Sequence, residues 1–298
     1  LLADKTYTET KISLASKVRD YALFIKLRLA SLVVISAIAG YLLAAGTAGV
    51  DSTILFYLIV GGFLITGSSN GFNQIIERDL DKKMDRTKNR PLPKGTMSVT
   101  EGMIIAIITG IAGVSLLWMI NPLSGILGIL ALFLYVAIYT PLKRITPLAV
   151  FVGAFPGAIP PMLGWVAHSG TFGLEAGILF AVQFMWQFPH FWAIAWVLHD
   201  DYKKGGFSLL PSKGGRDDKS AFQIMLYSLF MIPAALLPWW WDITGNVSAF
   251  LVVLAGVAFA LPAMKLYRTR DNKDARRVMF FSFIYLPVVL FIYVFDKV

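Results

Sequence analysis

Apolar runs of roughly membrane-crossing length alternate with short polar segments along the whole chain. Nine can be drawn, at about 22–45, 53–76, 100–119, 122–140, 147–167, 173–198, 220–241, 247–267 and 277–295. A bilayer's hydrocarbon core takes about 20 helical residues. Backbone groups in lipid must satisfy one another, which favours helices for such runs. The pattern therefore predicts an all-α, polytopic membrane protein with nine transmembrane helices. The connections leave no room for a separate soluble domain, so residues 1–298 read as one transmembrane domain. Residues 1–20 are polar and mixed in charge, and read as an inner-side tail or surface helix. No cleavable signal peptide is evident in them.

Charge orients the spans. The chain carries 27 Lys and Arg and a formal net charge of +9. All of those cations except Lys297 fall at the ends of alternate spans, in residues 1–28, 78–94, 143–144, 203–219 and 265–277. The opposite loops, 46–52, 120–121, 168–172 and 242–246, have none. This positive-inside pattern puts the N-terminus in the cytosol and the C-terminus outside. It also accounts for the basic balance without a nucleic-acid partner. Trp118, Trp165 and Trp239 to Trp241 lie near outer span ends, where aromatic belts belong. Composition agrees with a lipid bilayer as solvent: 57% of residues are hydrophobic and mean hydropathy is +0.67. There is no cysteine, which excludes disulfides, thiolate catalysis and Cys-ligated metals.

Two inner loops are longer than the rest, 82–99 and 199–219. Each follows an inward-running span, four spans apart, a hint of weak internal duplication. The first adjoins the most informative polar segment. Asn73, Glu77 and Asp81 recur every four residues and form one oxygen-bearing stripe on a helix. Asp79 points off this stripe and Asp85 drifts from it. Hard oxygen ligands with one or two carboxylates suit Mg²⁺ bridging to a phosphate. The plain alternative is a solvated face pairing with Arg78, Lys82, Lys83 and Arg86. The helical spacing, the intramembrane asparagine and the adjoining basic loop favour the metal reading.

Two further clusters carry candidate chemistry. His190 lies inside a span in Gln187-Phe-Pro-His-Phe-Trp192, and ionisable groups there are functional candidates by default. On a continuous helix Asp201 shares its face, with His190 roughly 16 Å deeper. His168 and His199, at span ends, read as interfacial bystanders. Lys143 and Arg144 follow Tyr139 at the inner end of span four, where two cations suit a diphosphate, although positive-inside anchoring alone accounts for them. Span five holds Pro156, Pro160 and Pro161 with Gly153, Gly157 and Gly164. That composition fits either an internal pocket or close helix packing.

Together these residues resemble the UbiA superfamily of intramembrane prenyltransferases. Asn73-x-x-x-Glu77-x-x-x-Asp81 matches its NxxxDxxxD motif with Glu for the first Asp, and Tyr139-x-x-x-Lys143 matches its YxxxK motif. The run from Arg78 to Arg90, Trp186-Gln-Phe-Pro-His-Phe-Trp192, and Asp201-Tyr with Leu209-Leu-Pro211 are most similar to the branch that farnesylates haem. The similarity is good over spans one to seven and rests only on span count for the last two. The quinone branch would carry several aspartates where His190 stands, so a quinone-precursor prenyltransferase is second. A transporter is third, because the ionisable groups cluster on one side only.

The resemblance implies helices around a central cavity and transfer of farnesyl from farnesyl diphosphate to a vinyl group of haem B, with water addition. It implies Mg²⁺ as cofactor, held by Asn73, Glu77, Asp81 and Asp201. It implies diphosphate contacts from Arg78, Lys94, Tyr139, Lys143 and Arg144. His190, flanked by Trp186 and Trp192, is the candidate for haem positioning, iron ligation or water activation. A terminal oxidase or haem A synthase as downstream partner follows from the same likeness, and the absence of a transit-like N-terminus favours a bacterial inner membrane. The farnesyl chain would lie against span five and the Phe-rich spans.

Overall fold

The computed structural model describes residues 14–298; the expectation for residues 1–13 lies outside that range. A short helix α1 (Leu14–Phe24) precedes nine helices long and apolar enough to cross a membrane among the described residues. These are α2 (Leu27–Ala45), α3 (Ser52–Asp81), α4 (Val99–Ile120), α5 (Pro122–Leu142), α6 (Ala149–Ser169), α7 (Leu174–Val197), α8 (Asp218–Ala235), α9 (Asn246–Thr269) and α10 (Asn272–Phe295). Five of the nine spans start at side-chain caps. Asp51, Ser98, Asn121, Asp217 and Asp271 each accept a backbone N–H from the first turn of the next helix.

Consecutive helices pack side by side, and α10 returns to α2, closing a ring. Helix α6 is the most enclosed, with 72% of its apolar stretch buried against 22% for α4. The outward faces of α4, α9 and α10 expose Ile108, Ile111, Phe250, Leu261, Phe280 and Ile284, as a lipid-facing surface requires.

Both readings of the Gly/Pro-rich span hold. A β-carbon on Gly164 would land on the Ala37 carbonyl oxygen, so α2 and α6 touch backbone to backbone. Pro161 has no N–H to offer the Gly157 carbonyl one turn back. Gln183 of α7 supplies the missing donor, Nε2 to Gly157 oxygen at 2.6 Å. Gln187 Nε2 bonds the Ala154 oxygen at 2.9 Å.

Two expected continuous helices are broken. The first apolar run splits at Lys26, whose backbone is left-handed (φ 53°, ψ 58°). The carbonyls released there are taken by amides from α3. Asn70 Nδ2 reaches Ile25 oxygen at 3.2 Å, and Gln74 Nε2 reaches Phe24 oxygen at 2.6 Å and Leu23 oxygen at 3.1 Å. Phe24 lies over Gly71, where a β-carbon would approach its ring to 2.7 Å. Asn70, Gly71 and Gln74 of α3 thus seat this break. The second break is at Leu198 (φ −97°, ψ 13°), after which residues His199–Lys204 form a separate short helix. This corrects the expectation that His190 and Asp201 share one uninterrupted helical face.

Candidate active site

Helix α3 carries Asn73, Glu77 and Asp81 on one buried side: 1%, 4% and 0% exposed respectively. Each meets a cation. Lys26 Nζ donates to Asn73 Oδ1 at 3.3 Å. Lys143 Nζ lies 2.5 Å from Glu77 Oε1. Arg90 Nη1 donates to Asp81 Oδ2 at 2.6 Å. Asn73 Nδ2 also donates to Thr140 Oγ1 at 3.3 Å. The break at Lys26 is what swings its side chain onto the stripe.

Arg90 arrives because the chain folds back after α3. Thr87 Oγ1 bonds the Asp81 carbonyl at 2.9 Å, and Pro91 opens a single helical turn, Pro91–Lys94, that ends the loop. The loop is held from the other long inner segment. Asp201 accepts the backbone N–H groups of Asp85 at 2.7 Å and Arg86 at 3.2 Å. Lys204 pairs with Asp85. Hydrogen bonds from Lys204 and then Lys88 hold the Asp85 carboxyl down to about 2.

Helix α5 becomes π-helical over Leu134–Tyr139, which brings both Tyr135 and Tyr139 to the pocket. Lys143 follows, its ammonium 5.0 Å from the Tyr139 ring centre and 5.4 Å from that of Phe207. Burial pushes Lys143 below its ordinary range, while Glu77 draws it back up.

The resulting pocket occupies about 910 Å³ including its open mouth. Four cations line it, Lys26, Arg86, Arg90 and Lys143, against two carboxylates, Glu77 and Asp81. It carries two more positive than negative groups and suits a polyanion. Leu29 and Tyr135 also line an adjoining cavity of about 720 Å³ bounded by apolar residues of α2, α3, α5 and α6, including Pro156, Gly157 and Pro160. The Phe-rich part of α7 is not in its wall: Phe180, Phe184 and Phe188 pack with Phe151 and Phe155 instead.

The residues fit a hard divalent ion. Asp81 Oδ1 is buried with no hydrogen-bond partner, on the same helix side as Glu77 Oε1 beside Lys143 and Asn73 Oδ1 beside Lys26. No cluster of three His, Cys, Asp or Glu side chains able to hold a metal forms among the described residues. Two carboxylates and an amide suit Mg²⁺, which takes its remaining ligands from substrate phosphate and water.

Several sequence candidates stand elsewhere. Asp201 is outside the pocket, both oxygens engaged by the loop backbone. Arg78 pairs with Asp79 at 3.6 Å, and Lys94 and Arg144 are exposed. None of these three lines the pocket. His190 is buried one helix face away, between α7 and α10, with Nδ1 2.7 Å from Ser282 Oγ. Trp186 stacks on its ring at 4.3 Å and 17°. Trp192 packs on Phe188 and Tyr227 rather than on His190. Sequence reasoning missed Lys26, Arg86, Arg90 and Tyr202 as pocket residues. Lys26 had a usable signal, a lysine inside an apolar run.

Comparison with known proteins decides the family: the profile of the UbiA prenyltransferase family matches residues 33–285. The chain belongs to that family. A relative from Flavobacterium psychrophilum named Protoheme IX farnesyltransferase is 49% identical over 284 residues, 93% of this chain and 94% of its own. The fold is shared with solved UbiA-type structures. One, from work on digeranylgeranylglyceryl phosphate synthase, superposes with a TM-score of 0.78 at 21% identity, over 94% of this chain and 98% of the other. A UbiA homologue from Archaeoglobus fulgidus bound to GPP and Mg²⁺ gives 0.65 at 14% identity, over 92% and 99%. The chain is thus a multi-pass membrane prenyltransferase of the UbiA family.

Proposed function

We propose that this UbiA prenyltransferase transfers farnesyl from farnesyl diphosphate to a vinyl group of haem B, with addition of water, giving haem O and diphosphate. The observation that carries the diphosphate half is the cation-rich pocket lying beside an apolar cavity, with Leu29 and Tyr135 in both walls. The acceptor rests on the 49% identical relative and its name. The Trp186-Gln-Phe-Pro-His-Phe-Trp192 string supports it.

Asn73, Glu77 and Asp81 would hold Mg²⁺. When bound, the ion neutralises charge that develops on the leaving diphosphate. Lys26, Arg86, Arg90 and Lys143 bind and orient the phosphates and stabilise the same charge in a site shielded from bulk water. The isoprenoid chain lies in the apolar cavity. Breaking the C–O bond leaves an allylic cation and diphosphate, the vinyl carbon attacks the cation, and water captures the resulting benzylic-type cation beside the porphyrin, its proton passing to the released diphosphate. Asp201 acts by tethering the loop that carries Arg86 and Arg90. His190 belongs to the acceptor side. The cation distribution supports a cytosolic site with the C-terminus outside, and the bacterial relative from Flavobacterium psychrophilum supports an inner membrane.

The test is direct. Purified protein is incubated with haem B, farnesyl diphosphate and Mg²⁺, and haem O is sought by mass. Asp81→Asn should lower turnover at least 100-fold while the protein stays folded in membranes. Product from 4-hydroxybenzoate or a naphthoate, and none from haem, would assign the chain to a quinone pathway instead.

A further inference from the structure

Ser282 of α10 makes two contacts and has one hydroxyl hydrogen to share between them. Its Oγ is placed to donate to the Met279 carbonyl at 2.6 Å. With the hydrogen there, the same oxygen, 2.7 Å from His190 Nδ1, accepts from the ring. Nδ1 therefore carries the imidazole hydrogen, and the neutral ring has its lone pair on Nε2. Nε2 has no hydrogen-bond partner among the described residues.

The ring is also held in orientation. Trp186 stacks on it at 4.3 Å, and Trp186 Nε1 is itself pinned to the Ser282 carbonyl at 3.0 Å. Phe283 meets it edge-on at 4.9 Å. A histidine held only as packing would be satisfied by the one bond to Ser282. It would need neither a fixed tautomer nor a tryptophan anchored to the residue that fixes it. An imidazole that gives its Nδ1–H to a neighbouring oxygen and keeps an Nε2 lone pair is the usual arrangement of a metal-ligating histidine.

We propose that Ser282 is the positioning residue that sets the His190 tautomer and so presents Nε2 to the iron of the metalloporphyrin acceptor. This rests on the haem reading above. The step is a coordinate bond from a neutral nitrogen, so it releases no proton and transfers no electron. It leaves the porphyrin vinyl groups free to react.

The probe is haem B, titrated into the purified full-length protein and followed by its Soret band. The iron–histidine stretch of the ferrous complex is read by resonance Raman. Wild type should give a nitrogen-ligated spectrum. His190→Ala should lose it, and added imidazole should restore it. Ser282→Ala should weaken haem binding about 10- to 100-fold and lower the iron–histidine frequency. Ser282→Thr, which keeps the hydroxyl, should recover both. Binding of inorganic diphosphate with Mg²⁺ should be the same in all four proteins and reports folding. A Ser282→Ala variant with wild-type haem affinity and frequency overturns the proposal, as does a wild-type spectrum in His190→Ala. If wild type converts haem B while either result is seen, only this proposal falls. If wild type neither binds nor converts haem B, the haem reading falls and takes the proposal with it.

Discussion

Arg90→Ala would leave the Asp81 carboxylate in the pocket wall without its guanidinium. Asp81 is 1% and Arg90 15% exposed by side chain, and they meet at 2.6 Å. Breaking a buried pair of this kind costs about 3–5 kcal/mol, because the remaining charge stays desolvated. The residual exposure of Arg90 argues for the lower end. A loss of about 3 kcal/mol lowers the folding equilibrium constant by roughly two orders of magnitude. Magnesium should change this result. If Asp81 is a metal ligand, the ion no longer competes with the guanidinium in the variant, and linkage makes it a better stabiliser there than in wild type. The assay is equilibrium unfolding in mixed SDS–detergent micelles, followed by tryptophan fluorescence, with and without Mg²⁺. The expected pattern is a large loss without the ion and a partial recovery with it. Equal stability of variant and wild type without Mg²⁺, or the same Mg²⁺ gain in both, would refute the pairing argument and remove Asp81 from the metal site.

Gly164→Ala should destabilise by about 1–3 kcal/mol in the same assay, since its β-carbon would press on the backbone of Ala37 and Tyr41, which cannot move aside like a side-chain end. Gly177→Ala, with nothing within 4 Å, should instead be neutral or up to about 1 kcal/mol more stable. The Asp85 carboxyl is held down to about 2, below its unfolded value of about 3.9, so its contribution is complete above pH ~4 and lost as pH falls through about 2. Pepsin cleavage in residues 82–90 should rise across that window in wild type and already be high at pH 4 in Asp85→Asn; identical profiles would remove Asp85 from holding the loop.

The nine spans and the oxygen stripe were legible in the chain because both depend on local periodicity. Length and apolarity mark a span, and a four-residue repeat puts Asn73, Glu77 and Asp81 on one side whatever packs against them. Tyr139 and Lys143 were picked out through the YxxxK resemblance, since their position alone reads as positive-inside anchoring. What escaped depends on groups distant in sequence. Lys26 reaches Asn73 only because Asn70 and Gln74 take up carbonyls that a continuous helix would have used. Arg90 reaches Asp81 only because Asp201, over a hundred residues later, ties down the intervening loop. Asp201 was picked for its spacing from His190 and for the resemblance, but its carboxylate meets two backbone N–H groups that periodicity does not locate. The break at Leu198 likewise separates two residues that helical arithmetic had placed on one face.

The left-handed backbone at Lys26 sets folding against function at a single position. An L-residue there costs roughly 1–2 kcal/mol, which glycine would not. Lys26→Gly should therefore make the protein firmer while taking a cation from the diphosphate pocket, raising the denaturant midpoint and weakening diphosphate binding together. Selection for a stable fold alone would drift toward glycine at this site. A lysine retained against that pull is the expected outcome where the strained conformation is what carries the charge to the phosphate.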